Sequence, residues 1–218
     1  EEAGDPDEAL QAHEQAGGSL TTEAAQRIVH MYQVKADTVR WDAKQGSEEL
    51  VTQLCEQSSK VATRFQGEFE SAKNREGEAA MQLAIGQIEF DRLERENSRV
   101  DAFQVVLQSA RKAQEWAKMV PSAKLQAEAL MLAARVYRKK ETTPNCWKSG
   151  NQIRTLEALQ KAVILFNEAG DVVGMSRAES LLGDAHFFRN EDEEAVEQMV
   201  SSFERLKRPE TQREQAMQ

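Results

Sequence analysis

The chain has 218 residues, 40 % hydrophobic and 30 % charged, with 4 Pro, 11 Gly and a formal net charge of −9. That length can bury a sizeable core, as one or two compact domains or as one elongated array. The acidic balance argues against nucleic acid as the main partner, since such binding draws on clustered cations, and no apolar run approaches the roughly 20 residues of a membrane span.

Ala, Glu, Gln, Leu and Arg dominate, residues that lose little side-chain freedom in a helix. Val and Ile are sparse and no run of alternating β-branched residues occurs, so the expected fold is all-α. Cys55 and Cys146 lie far apart with neither metal-ligand nor redox spacing, and both are expected to be reduced. No Asn-x-Ser/Thr acceptor points to secretion. The first residue is Glu1, so the expectation is a processed chain, an excised piece or the ordered part of something longer, in which any N-terminal targeting segment would not be seen. An intracellular site, cytoplasm or organelle interior, is favoured and the compartment stays open.

In chain order, residues 4–16 form a first helix, with Asp5 to cap it, Pro6 at its first position and Asp7 and Glu8 at the positive end of its dipole. After Gly17-Gly18 a second helix runs from Leu20 to about Lys44 on Ala25, Ile28, Val29, Tyr32 and Val39, with Thr21 or Thr22 as cap. A long third helix, Glu48 to about Lys73, carries Leu50, Leu54, Val61, Phe65 and Phe69 on one side. Helices over 78–92, 100–119 and 121–139 follow. The segment 141–152, ETTPNCWKSGNQ, reads as a loop. Leu156–Phe203 then reads as helix, Gly-Asp turn, helix, polar turn, helix, and the polar tail after Lys207 should fray.

The chain repeats itself. Written without gaps, Phe69–Phe90 lies over Phe166–Phe187, and Phe69 with Phe166, Ala72 with Ala169, Gly77 with Gly174, Gly86 with Gly183, and Phe90 with Phe187 coincide. Trp116–Tyr137 has the same length and aromatic ends. The aromatic starts lie 47 and then 50 residues apart. Such a period marks stacked helical hairpins, because one hairpin alone cannot bury its apolar face.

Local patterns connect this repeat to a known class. Leu182-Gly183-x-x-His186, preceded by Ser176 and Ala178, recurs loosely as Ala133-Ala134-x-x-Tyr137. Ala162-x3-Phe166-x2-Ala169 recurs as Ala102-x3-Val106-x2-Ser109. Asn190-Glu191-x-x-Glu194-Ala195 joins the two patterns, and Gly4-Asp5-x-x-Glu8-Ala9 echoes that turn. The chain resembles the tetratricopeptide repeat family in these positions. The resemblance implies antiparallel hairpins stacked as an α-solenoid over residues 69–207, preceded by N-terminal helices over 1–68 and followed by a flexible tail over 208–218. It also implies a non-enzymatic protein-binding scaffold or adaptor whose first helices line a groove. The groove positions are Gln87, Arg135 and Asp184, with Arg138 and Arg177 one turn away. They lack the paired Lys/Asn set that clamps a C-terminal carboxylate. The alternative role is that of a permanent subunit in a large assembly.

Nothing in the residues points to catalysis, a metal or a cofactor. His13, His30 and His186 sit on separate helices without a partnered nucleophile, and His186, at a core position of the repeat, reads as a satisfied, half-buried imidazole. Gly17-Gly18 lacks the Lys-Ser/Thr of a phosphate loop. Glu191–Glu194 lacks the alternating oxygen ligands of a calcium loop and suits a helix N-terminus. Trp147, in a polar loop, either folds back onto the array or contacts a partner protein.

Overall fold

The computed structural model describes residues 5–16, 21–41, 47–95, 100–142 and 150–207. Among the described residues there are nine α-helices and no strand: α1 (Pro6–Ala16), α2 (Thr22–Trp41), α3 (Ser47–Ser71), α4 (Arg75–Arg95), α5 (Val100–Met119), α6 (Ala123–Thr142), α7 (Asn151–Ala169), α8 (Val172–Phe187) and α9 (Asp192–Leu206). The chain divides into two compact units, Glu1–Ser98 and Arg99–Gln218. Within each unit a helix packs chiefly on the next in sequence, while α2 also meets α4 and α6 also meets α8. The polar tail expected over 208–218 lies outside the described residues.

In the first unit the caps form as the sequence suggests. The Asp7 N–H donates to Asp5 Oδ1 at 2.9 Å, and the Ala24 N–H to Thr21 Oγ1 at 3.2 Å. The apolar stripes of α2 and α3 are buried at Ile28, Val29, Tyr32, Leu54, Val61, Phe65 and Phe69. Leu50, expected on the same stripe, is 45 % exposed near the start of α3.

One turn design recurs through both units. At the end of α3 the Asn74 N–H returns to the Phe69 carbonyl at 2.8 Å, Lys73 takes a left-handed φ of 55°, and Asn74 Oδ1 accepts the Gly77 N–H at 3.0 Å. At the end of α7 the same offsets give Asp171 to Phe166 at 2.9 Å, Gly170 at φ 69°, and the Gly174 N–H on Asp171 Oδ1 at 2.7 Å. After α8 they give Glu191 to His186 at 3.1 Å with Asn190 at φ 59°. In all three the backbone closes the last helical turn; at Asn74 and Asp171 the side chain also caps the following helix, whereas the Glu191 carboxylate bonds His186 and Arg189 instead.

The matched aromatics and glycines of the repeat meet in space. A Cβ on Gly77 would stand 2.4 Å from the Phe69 ring, and one on Gly174 would stand 2.4 Å from the Phe166 ring. Each ring therefore sits against the backbone at the start of the next helix, where any side chain would displace it. The third copy carries Lys124 where these glycines stand, and its aromatic, Trp116, is only half-buried. The correspondence ends at Phe90 and Phe187: Phe90 is buried, whereas Phe187 is 60 % exposed at the end of α8.

The second unit is layered around α6. Ala127 joins Ala162, Phe166, Met175 and Ala178 in one apolar cluster, and Ala134 joins Ala158, Leu159, Leu182 and Ala185 in another. On the opposite side of α6, Leu125, Ala129, Leu132 and Val136 recur at helical spacing and are buried, which leaves that stripe for α5. Helix α7 begins at Asn151, inside the segment read as loop, and α6 continues to Thr142. Hydrophobic periodicity misses the extra turn because polar groups fill it: Asn151 and Thr155 are buried, and Thr155 Oγ1 donates to the Asn151 carbonyl at 3.0 Å.

Candidate functional site

The groove positions of the second unit lie along the side of α6 that faces α8. Lys124, Glu128, Met131, Arg135 and Arg138 recur every three or four residues on α6, as do Arg177, Leu181, Asp184 and Phe188 along α8 and its cap. Arg138 Nη1 pairs with Asp184 Oδ2 at 2.8 Å, and the same guanidinium lies 5.0 Å from the centre of the Phe188 ring. At the opposite end Lys124 Nζ pairs with Asp171 Oδ2 at 2.9 Å. Between the two pairs Leu130, Met131 and Leu181 are partly buried against the core.

Charge is tuned along this face. Burial pushes the Asp171 carboxyl up, but the Gly174 N–H and the Lys124 ammonium outweigh it and hold the group below 3.8. Glu128, half-buried beside them, goes the other way: its burial outweighs the pull of Lys124 and Arg177, and the carboxyl is raised above 4.5. Arg177 is exposed and bears on both carboxylates through its charge.

Of the six residues singled out from the sequence, Arg138 and Asp184 are brought into direct contact. Arg135 is half-buried on the same side of α6, and Arg177 stands on the neighbouring side of α8. Gln87 belongs to the first unit, where its Nε2 donates to Asp91 Oδ1 at 2.7 Å. Trp147 lies outside the described residues. Lys124, Glu128, Asp171 and Phe188 were missed, although the three-and-four spacing along α6 carried the signal for the first two.

Asp91, the partner of Gln87, lines a cleft of about 220 Å³ in the first unit. Asp37 and Arg40 from α2 and Asp91 and Glu94 from α4 form its walls, over Val51, Cys55 and Ser58 of α3. It is smaller than the roughly 300–1,000 Å³ of pockets that enclose organic ligands. Among the described residues no three His, Cys, Asp or Glu side chains stand as a metal-ligand set, and no helix is long and apolar enough to cross a membrane. His186 is half-buried and its Nδ1 lies 2.7 Å from Glu191 Oε2; that bond and the Arg189 guanidinium hold the Glu191 carboxyl below its usual range.

The seam between α8 and α9 is polar. Ser176 and Ser202 bond reciprocally, each hydroxyl to the other's carbonyl, at 2.8 and 2.9 Å. The buried Glu179 receives Arg205 Nε at 3.1 and 3.0 Å and the Ser201 hydroxyl at 3.2 Å. A Cβ on Gly183 would stand 2.8 Å from the Met199 side chain and 3.0 Å from the Ala195 carbonyl, so the two helices approach closely. Only Ala195 and Ser202 of α9 are buried, while Val196, Met199, Val200 and Phe203 are 60, 40, 49 and 58 % exposed. The helix is held by its small and polar side, with Met199 bordering Gly183 at the edge of the seam, and turns Val196, Val200 and Phe203 outward.

Compared with known proteins, the chain matches no protein-family model, and no curated protein matches it.

Proposed function

We propose that this chain is a non-enzymatic protein-interaction module, built from helical hairpins of the tetratricopeptide type and held in a multiprotein assembly. The outward apolar side of α9 carries the reading. Four large apolar side chains at i, i+3, i+4 and i+7 on one helix form a continuous stripe, and contiguous apolar surface marks a contact with another macromolecule. The hairpin class is supported by the recurrent turn and by the aromatic-on-glycine packing that α3–α4 and α7–α8 share.

The apolar character of the stripe favours a lasting subunit contact over brief exchange, because obligate interfaces resemble a core cut in two. A second reading, an adaptor that seats protein segments between α6 and α8, draws on the half-exposed pair Arg138–Asp184. Sizing the endogenous protein under gentle extraction separates the two. A stoichiometric complex that survives salt and dilution is expected. A free monomer with substoichiometric companions would move the function to the α6–α8 face, and a free monomer without companions would sink both readings.

A further inference from the structure

We infer that the outer side of α9 docks a basic amphipathic helix of a partner protein. The inference rests on the interaction reading above and names the occupant of that surface. The stripe Val196–Met199–Val200–Phe203 spans two helical turns, roughly 10 Å along the axis, and its spacing is what a second helix presents in return. One long edge of the stripe is acidic: Glu193, Glu197 and Glu204 follow each other at intervals of four and seven, all exposed. Asp192 and Glu194 are exposed as well. Of the cations of α9 and its cap, Arg205 is bound to the buried Glu179, and Lys207 lies 4.2 Å over the Phe203 ring, at the end of the stripe away from Glu193 and Glu197. A helix with an apolar stripe and Lys or Arg along its flank complements both features.

Charge also weighs against an antiparallel second copy. Docked stripe on stripe about a twofold axis perpendicular to α9, it would set the glutamate edge against its own image. Like charges so placed repel. The segment 208–218 of the chain itself, RPETQREQAMQ, has apolar side chains only at Ala216 and Met217 and cannot match a four-residue stripe.

The test uses the full chain and two fluorescent model peptides of about 18 residues, identical in their leucine stripe and flanked by Lys in one and by Glu in the other. The Lys-flanked peptide is expected to bind preferentially. Phe203→Ser should weaken it by roughly thirtyfold, as loss of a large aromatic anchor does. A combined Glu193→Gln, Glu197→Gln, Glu204→Gln variant should weaken it by about tenfold and flatten its salt dependence. Circular dichroism and the melting temperature of these surface variants should stay unchanged. Equal binding of the two peptides would overturn the basic partner while leaving α9 an interaction surface. Lys-peptide binding that Phe203→Ser leaves untouched would overturn the site. Failure of both peptides, with a concentration-dependent dimer that Phe203→Ser abolishes, would assign the surface to a second copy. Failure of both in a chain that is also free and monomeric at its source would remove the interaction reading itself.

Discussion

Helix α8 is packed on both flanks by opposite chemistry. Towards α7 it meets an apolar cluster in which the Phe166 ring lies on Gly174, and Leu159 and Leu182 share a second cluster. Towards α9 it meets reciprocal serine bonds and a buried carboxylate on a guanidinium. The first seam is driven by area removed from water, which is large and directionless. The second is held by directional bonds whose net worth is small but whose loss strands buried groups. A helix held the second way keeps its apolar residues for something else.

Phe166→Ala should cost the most, roughly 3–5 kcal/mol, because the ring fills the space above Gly174 and nothing can collapse into it. Denaturant unfolding measures it; a loss below 1 kcal/mol would mean that the apolar seam does not carry the hairpin. Glu179→Ala should cost about 2 kcal/mol by leaving Arg205 and Ser201 without their acceptor.

Asp171→Ala should cost about 1 kcal/mol through the lost helix cap. The Asp171 carboxyl is depressed below 3.8, so its contribution is present above that value and lost as pH falls through the folded pKa. The gap between wild type and variant should therefore close in acid. Glu128 is raised above 4.5, so its charge opposes folding at neutral pH. Glu128→Gln should stabilise the chain at pH 7, with the gain fading as pH falls through the raised folded pKa towards the ordinary carboxylate range. A pH series of unfolding curves reads both signs at once. The smallest effect belongs to Val196→Ser with Phe203→Ser, within about 0.5 kcal/mol for the isolated chain. A loss of 2 kcal/mol there would place the stripe inside the fold and erase the contrast with the α7 side.

The turns and close approaches were legible because each residue type has one physical use. Gly170-Asp171 marks a left-handed residue followed by a cap, and the fixed offset of Phe166 from Gly174 anticipates a ring on bare backbone. Lys73 holds the equivalent left-handed position without glycine's freedom, so that turn shows in the sequence only as the polar break Asn74-Arg75-Glu76-Gly77, and its left-handed residue does not. The start of α7 was hidden because Asn151 and Thr155 are polar yet buried. Helix α9 misleads a reader of periodicity in another way. Its strongest apolar stripe is exposed, while the weak pair Ala195 and Ser202 faces α8. Pattern reveals which residues share a side, not which side another helix will take. Arg138 and Asp184 were chosen by position in a repeat, and their pairing depends on the α6–α8 approach, which no single helix encodes.

The outward stripe of α9 also sets how the free chain behaves in solution. In dilute buffer the glutamate edges of neighbouring molecules repel over a Debye length of about 10 Å at 0.1 M salt. Sulfate screens that repulsion and strengthens apolar association together. The chain should therefore stay dispersed at low ionic strength, come out of solution early in an ammonium sulfate series, and be retained on a hydrophobic-interaction resin that releases the Phe203→Ser variant sooner.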